Sequence, residues 1–208
     1  MKIESLQVSP IGTNCYLVCD EAAKLCAVVD PGGDADRILS ATEKTGCTPA
    51  CILLTHGHFD HVGGVAGILA AHPDLPVYLS PLDIYPADDA HARELFPVPE
   101  GTIPVSDGDS ISMGTLTFTA MATPGHSEGS VTYRVDGTLL CGDTLFAGSC
   151  GRTDFLGGSM EKMMASLARL GGIAENLIVL PGHMDSTTLD RERQENPYML
   201  QALRGGAR

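Results

Sequence analysis

Between Leu53 and Gly64 the chain reads LLTHGHFDHVGG, which sets His56, His58, Asp60 and His61 within six residues. Imidazole and carboxylate are the side chains that bind divalent ions such as zinc, iron or manganese at neutral pH. His56 and His58 are separated by one residue, so in an extended loop both rings point the same way and can grip one ion. Asp60 and His61 begin the next turn and face another direction, so one loop can serve two adjacent ions. Of the chain's 7 histidines, five (His56, His58, His61, His126 and His183) come after strand-like runs. His72 and His91 read as turn residues. The chemistry this predicts is metal activation of water against a small carbonyl substrate.

Such side chains need elements that bring them together. KIESLQV, NCYLVC and LCAVVD read as three strands broken at Gly12 and at PGGD. A helix follows, capped by Asp34, with Ile38, Leu39 and Thr42 inward and a stop at Gly46. PACILL is a buried strand leading into the histidine cluster, and Val62, Val65, Ile68 and Leu69 recur beyond it at helical spacing. PVYLS is another strand. From Tyr85 to Pro104 four prolines mark an irregular stretch, read as a surface connection, with an overhang above a site as the alternative. DSISMGTLTFTAMATPG reads as a hairpin ending at His126, and EGSVTYRV and GTLLCGD continue the series to Asp143. Met160, Met163, Met164, Leu167 and Leu170 form the inner stripe of an amphipathic helix. NLIVLPGH ends on His183. TTLD resembles a capping box, and Asn196 with Pro197 a second cap and first helical residue, before a helix that stops at Gly205. His56, His126, Asp143 and His183 thus all stand just after strands, where loops from distant parts of the chain can converge on one rim.

Bulk properties exclude several classes. With 208 residues the expectation is one domain over 1–208, and a charged fraction of only 19% against 43% hydrophobic leaves ample material for a core. A net charge of -13 with no basic run opposes nucleic-acid binding. The start, MKIESLQVSP, is no secretory signal, and no run approaches the roughly 20 apolar residues that span a bilayer. The reading is a cytoplasmic protein without membrane or nucleic-acid partners. Its 7 cysteines are irregularly spaced and read as buried small hydrophobes, Cys141 among them.

The run His56-Gly57-His58-Phe59-Asp60-His61 resembles the H-x-H-x-D-H pattern of the metallo-β-lactamase fold superfamily, and His126 in TPGHSEGS, Asp143 in CGDTLF and His183 in LPGH match its later elements. The resemblance implies a four-layer αβ/βα sandwich of two mixed β-sheets flanked by helices, with the site at the sheet edges. It also implies two divalent metal ions, zinc by default with iron or manganese as alternatives: His56, His58 and His126 on the first, Asp60, His61 and His183 on the second, and Asp143 bridging. Asp60 and Asp143 are thereby the catalytic carboxylates. Where the zinc β-lactamases commonly carry a cysteine this chain has Asp143, so it is more similar to the short glyoxalase-II-like hydrolases.

That likeness implies a hydroxyacylglutathione hydrolase-like thioesterase in which a hydroxide shared by two ions, about 3.5 to 4 Å apart, attacks a small thioester. A thiol with a pKa of about 8.5 leaves without a strong general acid. No G-x-S-x-G offers a rival nucleophile, and Ser127 reads as a turn hydroxyl. In the loop GSCGRTDFLGG, Arg152 occupies the place of a glutathione-contacting lysine and Asp154 that of a tyrosine; Arg152 is the candidate for holding a substrate carboxylate. The helical C-terminal domain of glyoxalase II has no counterpart, so a different thiol carrier is allowed. GRTDF also resembles the persulfide dioxygenases, in which one iron would sit on His56, His126 and Asp143, and lactonases share the ligand pattern.

Overall fold

A computed structural model describes residues 1–205. The first half runs β1 (Lys2–Val8), β2 (Thr13–Asp20), β3 (Leu25–Val29), α1 (Ala35–Thr45), β4 (Thr48–Leu53), α2 (Phe59–Val62), α3 (Val65–Ala71), β5 (Val77–Leu79), α4 (Ala90–Leu95) and β6 (Ile103–Pro104). The second runs β7 (Ser110–Met113), β8 (Leu116–Ala122), β9 (Val131–Val135), β10 (Thr138–Gly142), β11 (Leu145–Phe146), β12 (Ser149–Cys150), α5 (Met160–Gly171), β13 (Ile178–Pro181), β14 (Thr187–Thr188), α6 (Leu189–Glu195) and α7 (Pro197–Gly205).

β1 to β6 form one sheet in chain order, antiparallel over the first three strands and parallel from β3 onward. The other six-stranded sheet has the order β14-β13-β10-β9-β8-β7, with β10 and β13 parallel and the remaining pairs antiparallel. Both sheets are therefore mixed. β11 and β12 make a separate small hairpin.

Side-chain alternation along β2 explains the layering. Cys15, Leu17 and Cys19 point to an outer core shared with Ile38 of α1 and Val65 and Ile68 of α3. Tyr16 and Val18 point the other way, into the core between the sheets, where they join Val29, Leu53, Phe118, Tyr133 and Leu140. On the far side, Leu139 and Val179 pack under Met163, Leu167 and Leu170 of α5 and Met199 of α7. The result is the αβ/βα sandwich implied by the sequence. Each layer buries one face of its neighbour, at roughly 1.5–3 kcal/mol per enclosed large aliphatic side chain.

Several local expectations change. The proline-rich segment contains the short helix α4, which the Asp89 side chain caps by accepting from Ala92 N at 3.0 Å. It is not merely a surface connection, because Phe96 and Val98 beyond α4 are buried. His91 lies on this helix rather than in a turn. The helical run after His61 breaks at Gly63 and Gly64 into α2 and α3. Asp34 precedes α1 in a left-handed conformation, φ 52°, and its side chain makes no cap bond; its Oδ2 accepts from Ser9 N instead. Met160 is exposed, so the buried stripe of α5 begins at Met163. The cap of α6 is Thr188, whose hydroxyl accepts from Arg191 N, while Thr187 lies on β14 and donates to Glu192. Asn196 does cap α7, its Oδ1 accepting from Tyr198 N and Met199 N.

Six of the seven cysteines are buried, Cys150 is half-buried, and among the described residues none forms a disulfide. Nor is any described helix long and apolar enough to cross a membrane.

Candidate metal centre

Four loops, each leaving the end of a strand, deliver the seven donors to one place. β4 delivers His56 and His58 in the loop that follows it. His58 holds extended backbone as the residue before α2, so Asp60 and His61 fall on that helix's single turn and face the other way. His126 follows β8, Asp143 follows β10 and His183 follows β13. The first four residues come from one sheet and the last three from the other. They meet across the open edge of the sandwich.

Three groups of donor atoms lie within 4.8 Å of one another: His56, His58 and His126; His56, His61 and Asp143; and Asp60, His61 and His183. Asp143 touches both histidine sets, Oδ1 standing 3.5 Å from His61 Nε2, and Oδ2 standing 3.5 Å from both His126 Nε2 and His183 Nε2. Asp60 Oδ2 is 3.2 Å from His183 Nε2 and 3.4 Å from His61 Nε2. These separations match the edge of a tetrahedron of ligands at bonds of about 2.1 Å, which is about 3.4 Å. All seven residues are buried except His183, which is half-buried.

A layer of hydrogen bonds aims the rings. Asp30, at φ 50° just after β3, accepts from His61 Nδ1 at 3.0 Å, Thr55 Oγ1 at 2.6 Å and Thr55 N at 2.8 Å. Thr55 Oγ1 spends its proton on Asp30 and so accepts from His56 Nδ1 at 3.1 Å. The Arg152 carbonyl accepts from His126 Nδ1 at 2.7 Å. In each ring Nδ1 is thereby fixed as the donor and Nε2 is turned inward. Thr13 donates to Asp60 Oδ2 at 2.9 Å.

Several buried atoms of these residues lack a partner. His56 Nε2, His58 Nε2, His61 Nε2 and Asp143 Oδ1 are the buried side-chain polar atoms left without a hydrogen bond among the described residues. Buried polar groups are otherwise almost always paired; the unpartnered His56 Nε2, His61 Nε2 and Asp143 Oδ1 fit a centre built for cations, and His58 turns its Nδ1 to the other rings, 2.8 Å from His126 Nε2. The electrostatics differ from ring to ring. Burial drives His56 far down, and burial with the neighbouring His126 takes His58 down to about 3, so both present neutral, ligand-ready nitrogens. Burial would lower His61 too, but Asp30 and Asp143 outweigh it and raise it to about 9. Burial works to lift Asp60, yet the bond to His183 and the charge of His61 hold it below the usual carboxylate range.

Sequence reasoning named all seven donors and the structure brings all seven together. It passed over Asp30, Thr55, Asp83 and Phe96. Phe96 packs on His58 with ring centroids 4.4 Å apart. Asp30 did leave a signal, since like His56 and Asp143 it stands immediately after a strand. Arg152 reaches the rim, where its guanidinium binds Asp154 through two bonds of 2.7 Å and lies 3.8 Å over the Phe155 ring. Phe155 in turn is 5.7 Å from the His58 ring. A separate groove of about 450 Å³ opens between β1 and β13, lined by Tyr16, Thr138, Ile178 and Met184, and contains none of the seven donors.

The profile of the metallo-beta-lactamase superfamily matches residues 8–183. The chain is 35% identical to the probable metallo-hydrolase YqgX of Bacillus subtilis, over 96% of this chain and 98% of that protein. It is 38% identical to the hydroxyacylglutathione hydrolase of Yersinia pestis over 77% of its length, but spans only 57% of that enzyme. Among solved structures, the di-iron-bound form of TTHA1623 superposes with a TM-score of 0.81 at 37% identity, covering 94% of this chain and 99% of that one. The chain belongs to the metallo-beta-lactamase superfamily.

Proposed function

We propose that this protein is a metal-dependent hydrolase of small thioesters. His56, His58 and His126 would hold one divalent ion and Asp60, His61 and His183 a second, with Asp143 shared between them; zinc is the default, and a di-iron-bound relative keeps iron in play. When bound, such ions supply Lewis acidity, lowering the pKa of water toward neutrality and polarising a carbonyl. The observation that carries the reading is the convergence of seven candidate donors on a spot where the buried His56 Nε2, His61 Nε2 and Asp143 Oδ1 have no hydrogen-bond partner.

The chain's own residues supply the rest. Asp30, Thr55 and the Arg152 carbonyl hold the rings in one tautomer, so no reorganisation is needed when a substrate arrives. Phe155 and Phe96 wall the His58 side with apolar surface and keep bulk water off that flank. Neither Cys141 nor Ser127 competes as a nucleophile: burial pushes the Cys141 thiol up to about 12, and the Ser127 hydroxyl is engaged with Asp83 at 2.8 Å. Thioesters suit such a site because their thiol leaves without a strong acid. A carboxylate at Asp143, and the likeness to a hydroxyacylglutathione hydrolase, favour this substrate class. At the rim, Arg152 keeps Nη1 free of Asp154 to receive a substrate carboxylate.

The test is metal analysis of protein purified without chelator, paired with a panel of thioesters. Two ions per chain and thioester cleavage that disappears in Asp60→Ala and Asp143→Ala are expected. Full activity in either variant would refute the role given to these carboxylates. One iron per chain with oxygen uptake on a persulfide would replace the hydrolase with an oxygenase.

A further inference from the structure

Asp83 lies at the end of the short 3-10 turn Pro81–Asp83 after β5, is fully buried, and belongs to no donor group. Its carboxylate reaches two separate loops. Oδ2 accepts from Gly57 N at 2.9 Å, the amide between His56 and His58, and from Ser127 Oγ at 2.8 Å, the residue after His126. Oδ1 accepts from Gly129 N at 2.7 Å on that same second loop. These partners are 26, 44 and 46 residues away in the chain and come from both sheets. The approach is close: a Cβ on Gly129 would stand 2.7 Å from Asp83 Cγ, and one on Gly57 would stand 3.1 Å from Asp83 Cβ. At Gly129 a side chain would collide with the carboxylate, and at Gly57 it would crowd Asp83, Phe96 and Val98.

We infer that Asp83 is a positioning residue that sets the spacing between the His56–His58 loop and the His126 loop, and so the affinity of that trio of nitrogens for its ion. The inference rests on the metal-binding reading above. Its logic is that of a clasp. The three rings come from two loops of different sheets; the backbone joins the two segments where Val131 N donates to Thr55 O at 2.8 Å, but among the described residues no backbone hydrogen bond joins Gly57 to Ser127 or Gly129. The carboxylate supplies that join with three donors on two oxygens. An amide cannot replace it, because Asn offers one acceptor oxygen, and in either orientation its NH2 group meets a backbone N–H that also donates. Ser127 thereby has a role besides that of a turn hydroxyl.

Asp83→Asn is the direct test, read by zinc competition against a chromophoric chelator and by thermal unfolding with and without zinc. The variant is expected to keep its far-ultraviolet circular dichroism, to bind one of its two ions about 10- to 100-fold more weakly, and to gain less in Tm on adding zinc than the wild type does. A residue that only braced the fold would lower Tm equally with and without zinc and leave the affinity alone; that outcome overturns the inference. Should Asp83→Asn fail to fold, Ser127→Ala removes one donor without removing charge, and several-fold weaker zinc binding is expected, wild-type binding overturning the inference. A wild-type chain that takes up no zinc, iron or manganese would instead sink the underlying reading of the site.

Discussion

His61 donates from Nδ1 to Asp30 Oδ2 at 3.0 Å, and both side chains are sealed from solvent. The same carboxylate holds Thr55 by its amide and its hydroxyl, and Thr55 holds His56. One acid thus orients a ring in each half of the centre. Asp30→Ala leaves three buried donors without an acceptor, which costs on the order of 3–5 kcal/mol. It also frees the His61 ring to turn, so metal affinity drops about 10- to 100-fold. Urea unfolding and chelator competition measure the two losses separately, and a variant that keeps wild-type affinity removes Asp30 from the orientation of the rings.

Phe96 fills the space between His58 and Tyr85, with centroids 4.4 Å and 4.8 Å away. It is fully buried, so Phe96→Ala opens a cavity and destabilises the chain by about 3–5 kcal/mol. The hole adjoins a donor ring, so thioester turnover falls along with the urea midpoint. Unchanged turnover at normal stability would mean that the stretch around α4 has no part in the site.

Asp20 ties the β2–β3 turn to the β7–β8 hairpin, accepting from Ala22 N, Ala23 N, Thr115 N and Thr115 Oγ1. The bond from the Thr115 amide, with those from Ala23 and the Thr115 hydroxyl, lowers its pKa to about 2 from an ordinary 3.8. A depressed folded pKa means stabilisation that is complete above pH 3.8 and fades as the pH falls toward 2. Asp20→Asn should therefore unfold at a lower temperature than wild type at pH 7, with the gap narrowing between pH 4 and pH 2. A gap that stays constant across that range counts against the ionised carboxylate as the source.

Arg152→Ala separates recognition from chemistry. With thioesters whose thiol or acyl part carries a carboxylate, KM should rise about tenfold, the worth of one charge-assisted contact, while kcat changes little. Neutral thioesters should be cleaved as before. Equal effects on both classes would assign Arg152 to bracing the loop through Asp154 and Phe155.

The donors were legible because coordination chemistry restricts both residue type and spacing: His56 and His58 must alternate, Asp60 and His61 must begin a turn, and His126, Asp143 and His183 must each follow a strand. The inner stripe of α5 was likewise legible, while the layering was implied by the family resemblance. Asp83 and Phe96 were not legible. Their partners lie tens of residues away, no local period marks them, and α4 is too short to show a helical repeat among prolines. Asp34 and Thr187 misled for a related reason, since a capping residue type says nothing of which backbone amide it will meet once strands have docked. Asp34 is drawn to Ser9, and Thr187 to Glu192.

Neither half of the molecule owns a finished set of donors. His56 and His58 wait for His126, and Asp60 and His61 wait for His183, so each ion would be stitched across the seam between the sheets. Loosening that seam anywhere along its length should release both ions in concert, and metal retention becomes a gauge of how firmly the halves are joined.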